Sequence, residues 1–404
     1  MMSRFSKTTA NDAAQGWRAR LIRYAIEIAV LLAVLAIGGL LVAASGIIPI
    51  KASSGHWAIT RWFLQFAKQR SVATHTLTLQ APPLEEPWLV LKGAGHYEIG
   101  CRPCHGSPDL RAPRIAQRLT PVPPYLPETI HRWYPEELFY IVKHGIKFTG
   151  MPAWPSQQRD DEVWAMVAFL RAFPELDAEE YRRLVHGEAA ISKAVVPLSG
   201  LEAKAAPPDV VATNCGRCHG VDGLGRDSAA FPKLAGQRPE YLTSSLEAYA
   251  RGERHSGIME PIAAGLSPEQ MRELSRHYAS LEAALPSPSV TQVASSSERG
   301  EVIAQRGIPS EDVPACADCH GPSDTPRNPN YPRLAGQHAD YLALQLTLFK
   351  QEQRGGTAYA HLMRHVAATL STEQINAVAR YYADLPPTSV RPVRPETKAE
   401  PVTR

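Results

Sequence analysis

Three segments of the chain each place two thiols and an imidazole within five positions: Cys101-x-x-Cys104-His105, Cys215-x-x-Cys218-His219 and Cys316-x-x-Cys319-His320. The sequence holds six cysteines, and these pentads use all of them. Two thiols three positions apart on one helical turn can add to the two vinyl groups of a haem, and the adjacent imidazole then lies where it can take the proximal position of the iron. Paired Cys-x-x-Cys with histidine also binds zinc. A zinc site, however, joins two such pairs about 15–20 residues apart into one tetrahedron, whereas these pentads lie about a hundred residues apart. The pattern predicts three covalently bound haem c groups and leaves no thiol for a disulfide.

The elements that must carry these groups begin with a membrane segment. From Ile28 to Ile48 the residues are apolar or small, about the 20 needed to span a bilayer. Arg4, Lys7, Arg18, Arg20 and Arg23 precede them, which keeps the first residues cytoplasmic and puts everything after Ile50 outside. The rival reading is a signal peptide cleaved near Ala43-Ala44-Ser45. The run is long for a signal peptide, and an interfacial segment follows it, so the anchor is favoured. In that segment Ile59, Trp62, Phe63 and Phe66 fall at helical spacing, with Arg61, Gln65 and Lys68 opposite. Such a helix can lie flat on the outer membrane surface or pack on the first haem unit.

With 404 residues the chain has room for several domains. Its 35 prolines and 27 glycines suit small helical units with wrapping loops rather than one long bundle. Residues 1 to 27 hold five basic and two acidic groups, and the remainder balances, so the net charge of +3 gives no sign of nucleic-acid binding. The stretches 189–210 and 286–297 lack helical periodicity and read as linkers, and 389–404 reads as a disordered end.

The second and third units are copies. Phe231-Pro-Lys-Leu-Ala-Gly-Gln-Arg-Pro-Glu-Tyr-Leu242 matches Tyr331-Pro-Arg-Leu-Ala-Gly-Gln-His-Ala-Asp-Tyr-Leu342. Each is followed by a helix, a methionine and a terminal helix opened by a capping box, Ser267-x-x-Gln270 or Ser371-x-x-Gln374. Met271, Leu274 and Tyr278, and Ile375, Val378 and Tyr382, then form apolar stripes. The first unit is a more distant relative, running from a helix over 91–100 to one over 162–173, with a loop Pro121-Val-Pro-Pro124 inserted.

Each unit resembles a class I cytochrome c domain. Units two and three resemble the tandem dihaem cytochromes of the c-four type, through Cys-His-Gly at Cys218–Gly220 and Cys319–Gly321 and the two Leu-Ala-Gly-Gln segments. Unit one resembles membrane-anchored monohaem cytochromes, through Gly93-x-Gly95-x-Tyr97, Pro135-Glu-Glu-Leu138 and Gly150-Met-Pro-Ala-Trp154. The resemblance implies a mainly α fold of three tandem class I cytochrome c domains after one N-terminal transmembrane helix. The expected divisions are a cytoplasmic basic tail 1–27, an anchor 28–50, an interfacial helix and linker 51–88, and a first haem domain 89–186. A linker 187–208, a second domain 209–285, a linker 286–297, a third domain 298–388 and the tail 389–404 follow.

The same resemblance supplies the sixth iron ligands as methionines. Met151, Met259 and Met363 are the candidates, opposite His105, His219 and His320, although Arg364-His365 departs from the family pattern and His361 lies close by. A thioether favours ferrous iron and raises the potential. Met166 and Met271 read as hydrophobic filling, and His144 and His255 as surface or haem-edge residues. Loop prolines of the family offer a carbonyl to the proximal imidazole: Pro232, Pro332 and, in unit one, Pro121 or Pro123. Tyr241 and Tyr341 are placed either in core packing or at haem propionates. Irons with both axial positions filled transfer electrons and do no catalysis. The implied role is a non-enzymatic periplasmic relay at the inner membrane, partnered by a dehydrogenase, a cytochrome bc complex or a terminal oxidase. It would stand free or serve as the cytochrome subunit of a dehydrogenase. A haem peroxidase or a haem sensor is a weaker reading.

Overall fold

The computed structural model describes residues 5–48, 50–187, 214–283, 294–322 and 327–387. The expected linkers and C-terminal tail fall largely or wholly outside these. Among the described residues the chain is helical and forms no strand, only the isolated bridges Ser107–Leu110 and Ile308–Val313.

The described residues up to His56 form one unit, dominated by α1 (Phe5–Ala44). Arg20–Ala44 is long and apolar enough to cross a membrane, with a mean hydropathy of 2.7 and none of it buried in the protein. At 1.5 Å per residue these 25 residues span about 38 Å, more than the roughly 30 Å hydrocarbon core. The helix stops at Ala44, four residues before the apolar run ends, and the Ser45 hydroxyl turns back to donate to the Val42 carbonyl at 2.7 Å.

The described residues from Trp57 onward form the other unit. It opens with α2 (Ala58–His75), which buries Val72 and stacks His75 on Tyr140. The opposite face leaves Trp57, Ile59, Trp62, Phe63 and Phe66 exposed. In the first haem region α3 (Pro87–Gly100) runs into the short α4 (Arg102–His105), which carries the pentad. After α5 (Leu126–Thr129) and α6 (Pro135–His144), α7 (Asp160–Ala172) crosses back over α3. The crossing is close because Gly93 faces it: a Cβ there would lie 2.3 Å from the Ala165 carbonyl oxygen. Tyr97, Phe169, Phe173 and Tyr181 fill the core beside it. Beyond the expected elements lies α8 (Ala178–His186), opened by a capping box between Asp177 and Glu180.

The second pentad is carried by α9 (Gly216–His219), followed by α10 (Pro239–Ala250), α11 (Met259–Ala264) and α12 (Pro268–Ser280). The third region repeats the plan with α13 (Ala294–Arg306), α14 (Cys316–His320), α15 (Ala339–Lys350), α16 (Ala360–Thr369) and α17 (Thr372–Asp384). Here Gly300 lets α13 cross α17, a Cβ falling 2.2 Å from the Ala377 carbonyl oxygen. Both sequence-read capping boxes form, at Ser267/Gln270 and Ser371/Gln374. The stripes Met271, Leu274, Tyr278 and Ile375, Val378, Tyr382 are buried, as is Met166.

Candidate haem sites

Each pentad makes one short helical turn that ends at a glycine with positive φ: Gly106 at 76°, Gly220 at 77° and Gly321 at 79°. Only glycine takes that conformation without strain, and the reversal sends the chain away from the imidazole. A tyrosine hydroxyl then donates to the carbonyl of the same glycine. Tyr97 reaches Gly106 at 2.8 Å, Tyr278 reaches Gly220 at 3.5 Å and Tyr382 reaches Gly321 at 3.0 Å. These contacts tie each pentad to a flanking helix, α3 in the first region and the terminal α12 and α17 in the others.

The histidines are oriented alike. Nδ1–H of His219 donates to the Pro232 carbonyl at 3.1 Å and that of His320 to Pro332 at 2.8 Å. His105 donates to Pro124 at 2.9 Å, so the acceptor in the first region is neither Pro121 nor Pro123 but the last proline of the same loop. Four consecutive loop residues sit within reach of one another, and only the fold decides which carbonyl points inward. A carbonyl oxygen can only accept, so Nδ1 carries the proton and Nε2 keeps its lone pair. Burial pushes all three imidazoles below their ordinary value, against the opposing effect of the proline carbonyl, which keeps them neutral and able to ligate.

Around the third pentad the side chains enclose a cavity of about 1290 Å³, counted to its open mouth. Cys316, Cys319, His320, Tyr341, Leu346 and Met363 are among its lining. A haem-sized group fits such an apolar cleft with convergent sulfur and nitrogen groups. Met363 lines it, while His361 and His365 are exposed on α16 and do not. Met151 and Met259 are half-buried, Met151 in the loop after α6 and Met259 at the first position of α11. Burial raises the thiols of Cys101 and Cys215 to about 12 and that of Cys316 to about 11.

Two arginines between the second and third regions give a further test of fit. Arg254 is 5% exposed; it donates to Ser245 Oγ at 2.8 Å and to the Tyr341 hydroxyl at 3.5 Å. Arg354 makes the mirror set, to Gln345 Oε1 at 2.6 Å and the Tyr241 hydroxyl at 3.0 Å. Among the described residues neither forms an ion pair with a carboxylate. Burial alone would raise the Tyr241 phenol, yet Arg254 and Arg354 outweigh it and pull the group down to about 7. A buried and a half-buried cation that bias a phenol toward ionisation suit an anionic group such as a haem propionate. His144 is exposed against Tyr140, and His255 stands 3.9 Å from Glu260.

A model described as "Cytochrome C oxidase, cbb3-type, subunit III" matches residues 89–170, and one described as "Cytochrome c" matches 208–281 and 297–385. A "Thiosulfate dehydrogenase electron acceptor" of Stutzerimonas stutzeri is 37% identical over 174 residues, covering 42% of this chain and 78% of the relative. A "Cytochrome c4" of Pseudomonas aeruginosa is 34% identical over 182 residues, covering 45% and 88%. The crystal structure of reduced recombinant cytochrome c4 from Pseudomonas stutzeri matches with a TM-score of 0.40 at 31% identity, over 44% of this chain and 96% of that one. The fold and the three pentads define a helical carrier of covalent haem. The chain belongs to the cytochrome c family, with cbb3-type and class I domains and homology to the dihaem cytochromes c4. Its cofactors are three haem c groups, held at the pairs Cys101/Cys104, Cys215/Cys218 and Cys316/Cys319.

Sequence reading missed the glycine-bound tyrosines and the crossed arginine pairs. The second had a signal: Ser245 and Arg254 recur as Gln345 and Arg354 at the same offset of one hundred as the copied segments.

Proposed function

We propose that this chain is a trihaem electron-transfer protein anchored in the inner membrane by α1, with its haem domains in the periplasm and divided as read from the sequence. The observation that carries this reading is the third cavity, where His320 and Met363 share one lining and Pro332 fixes the histidine tautomer. By repetition His105/Met151 and His219/Met259 serve the other two irons. Haem supplies reversible one-electron exchange. The protein's part is to fill both axial positions, keep water out and fix the three sites on one scaffold. The exposed aromatic face of α2 suits the headgroup region of a bilayer.

The electron donor or acceptor is a redox protein: a dehydrogenase, a cytochrome bc complex or a terminal oxidase. The similarity to a thiosulfate dehydrogenase electron acceptor favours a dehydrogenase, with this chain as its cytochrome subunit.

A resting-state spectrum of the detergent-purified, haem-loaded chain tests the reading. A thioether-to-iron charge-transfer band near the red edge from all three haems supports it, and high-spin haem that binds added carbon monoxide overturns it. Replacing Met151, Met259 or Met363 by Leu should each remove about a third of that band, one haem of three. Changing His361 or His365 should remove none. Co-purification of a stoichiometric dehydrogenase separates complex subunit from free carrier.

A further inference from the structure

The loop before Met259 is held by residues outside its own haem domain. Glu162, on α7 of the first domain, is 3% exposed, and its two oxygens point across the junction. Oε1 accepts from the Ser256 hydroxyl at 2.6 Å and Oε2 from the Gly257 amide at 2.7 Å. Arg159 pairs with Glu162 at 3.1 Å and donates from Nη1 to the His255 carbonyl at 2.7 Å. Three successive residues, His255 to Gly257, are thus gripped by one buried ion pair. Gly257 admits no side chain, because a Cβ would fall 2.0 Å from Trp154 Nε1.

The grip passes to the methionine through one hydroxyl. Ser256 Oγ donates to Glu162 and accepts from the Met259 amide at 3.0 Å, and the Ser256 amide donates to Glu260 at 2.7 Å. Ile258 meanwhile packs against the core of the first domain. On the other side of the same loop, Arg254 reaches Tyr341 of the third domain.

We infer that Glu162 is a positioning residue for the second haem, fixing the Met259 segment from the neighbouring domain and so tying the state of that site to the docking of the first domain. The inference rests on Met259 being a ligand. A charge-assisted pair of hydrogen bonds is among the stronger contacts available, and buried here it has no water to replace it. Small changes in a ligand's support shift a metal's properties more than they shift the fold. Trp154 adds a link to the first haem: it lies three residues after Met151, and its indole N–H points to Glu162 Oε2 at 3.4 Å.

The test uses the full, haem-loaded chain with E162Q and the milder S256A, alongside Met259→Leu. Midpoint potentials of the three haems and the red-edge band are read in each. Met259→Leu identifies the second haem through its lost share of the band; if the band stays whole, the ligand reading itself fails. Given that loss, the inference expects E162Q and S256A to displace the midpoint of this haem and to weaken its share of the band, with the third haem unmoved and haem content intact. Unchanged midpoints in both variants, or an equal shift of all three haems, would overturn it. If E162Q loses haem, S256A decides alone.

Discussion

Gln237 and Gln337 make the same hydrogen bonds in opposite directions. Gln237 Oε1 accepts from the Arg333 amide at 2.8 Å while its Nε2 donates to the Arg333 carbonyl at 2.9 Å. Gln337 does the same with Lys233, at 3.0 and 2.9 Å. The two copied Leu-Ala-Gly-Gln segments therefore face each other, each glutamine acting as a strand-like partner for the backbone of the other copy. Lys233 and Arg333 complete the exchange by donating to the carbonyls of Gly336 and Gly236.

Replacing either glutamine by Ala leaves a half-buried amide and a half-buried carbonyl without their partner. Each single change should cost about 1–3 kcal/mol, read by chemical denaturation of the haem-loaded chain. Since both act in one interface, the double variant should depart from additivity. Additive losses would mean that the two copies are held together elsewhere.

Gly93 and Gly300 stand where terminal and initial helices cross. Gly93→Ala puts a methyl 2.6 Å from Phe169 Cβ, and Gly300→Ala puts one 2.9 Å from Tyr381 Cβ. Backbone oxygen is closer still in both, so neither site can yield by a rotamer change. Thermal melts should show a loss of about 1–3 kcal/mol or more at each. Gly265→Ala, whose nearest neighbour would be 3.5 Å away, should stay within about 0.5 kcal/mol.

The tyrosine contacts to the pentad glycines should rank by their length. Tyr97→Phe and Tyr382→Phe remove bonds of 2.8 and 3.0 Å to carbonyls in buried surroundings and should each cost about 1–2 kcal/mol. Tyr278→Phe removes one of 3.5 Å and should cost less. Equal effects in equilibrium unfolding would contradict a hydrogen-bond origin.

Acid should loosen the junction of the first and second domains through His96. Its ring packs tilted against Trp154, with centroids 4.5 Å apart, and its Nδ1 has no hydrogen-bond partner. Burial, helped by the nearby Arg217 charge, lowers it from 6.5 to about 4. Its folded pKa is the lower one, so its contribution is complete above about 6.5 and is lost as the pH falls toward 4. The full loss is about 3 kcal/mol. His96→Leu should flatten the stability profile in that window relative to the parent. An unchanged slope would assign the acid sensitivity to another imidazole that is not an iron ligand, such as His186, which burial also lowers.

Local patterns were legible in the sequence because their causes are local. A capping box needs only Ser267 and Gln270 three residues apart, and α8 too had its sign in Asp177-x-x-Glu180. The apolar run of α1 and the exposed aromatic face of α2 follow from composition and periodicity. By contrast, the acceptor for His105 was not legible. Pro121, Pro123 and Pro124 are equivalent as residue types, and only the path of the loop selects the third.

The sequence by itself determined the cofactor, its number and the helical plan, since thioether attachment demands two thiols and an imidazole in one turn and the copied segments reveal the duplication. Tertiary structure alone decided how the units face one another. Glu162 and Ser256 are 94 positions apart, and Arg354 and Tyr241 are 113; no periodicity or spacing rule reaches that far. Contacts of this kind arise when separately folded surfaces bury charge together, and the chain records them only as ordinary glutamates, arginines and serines.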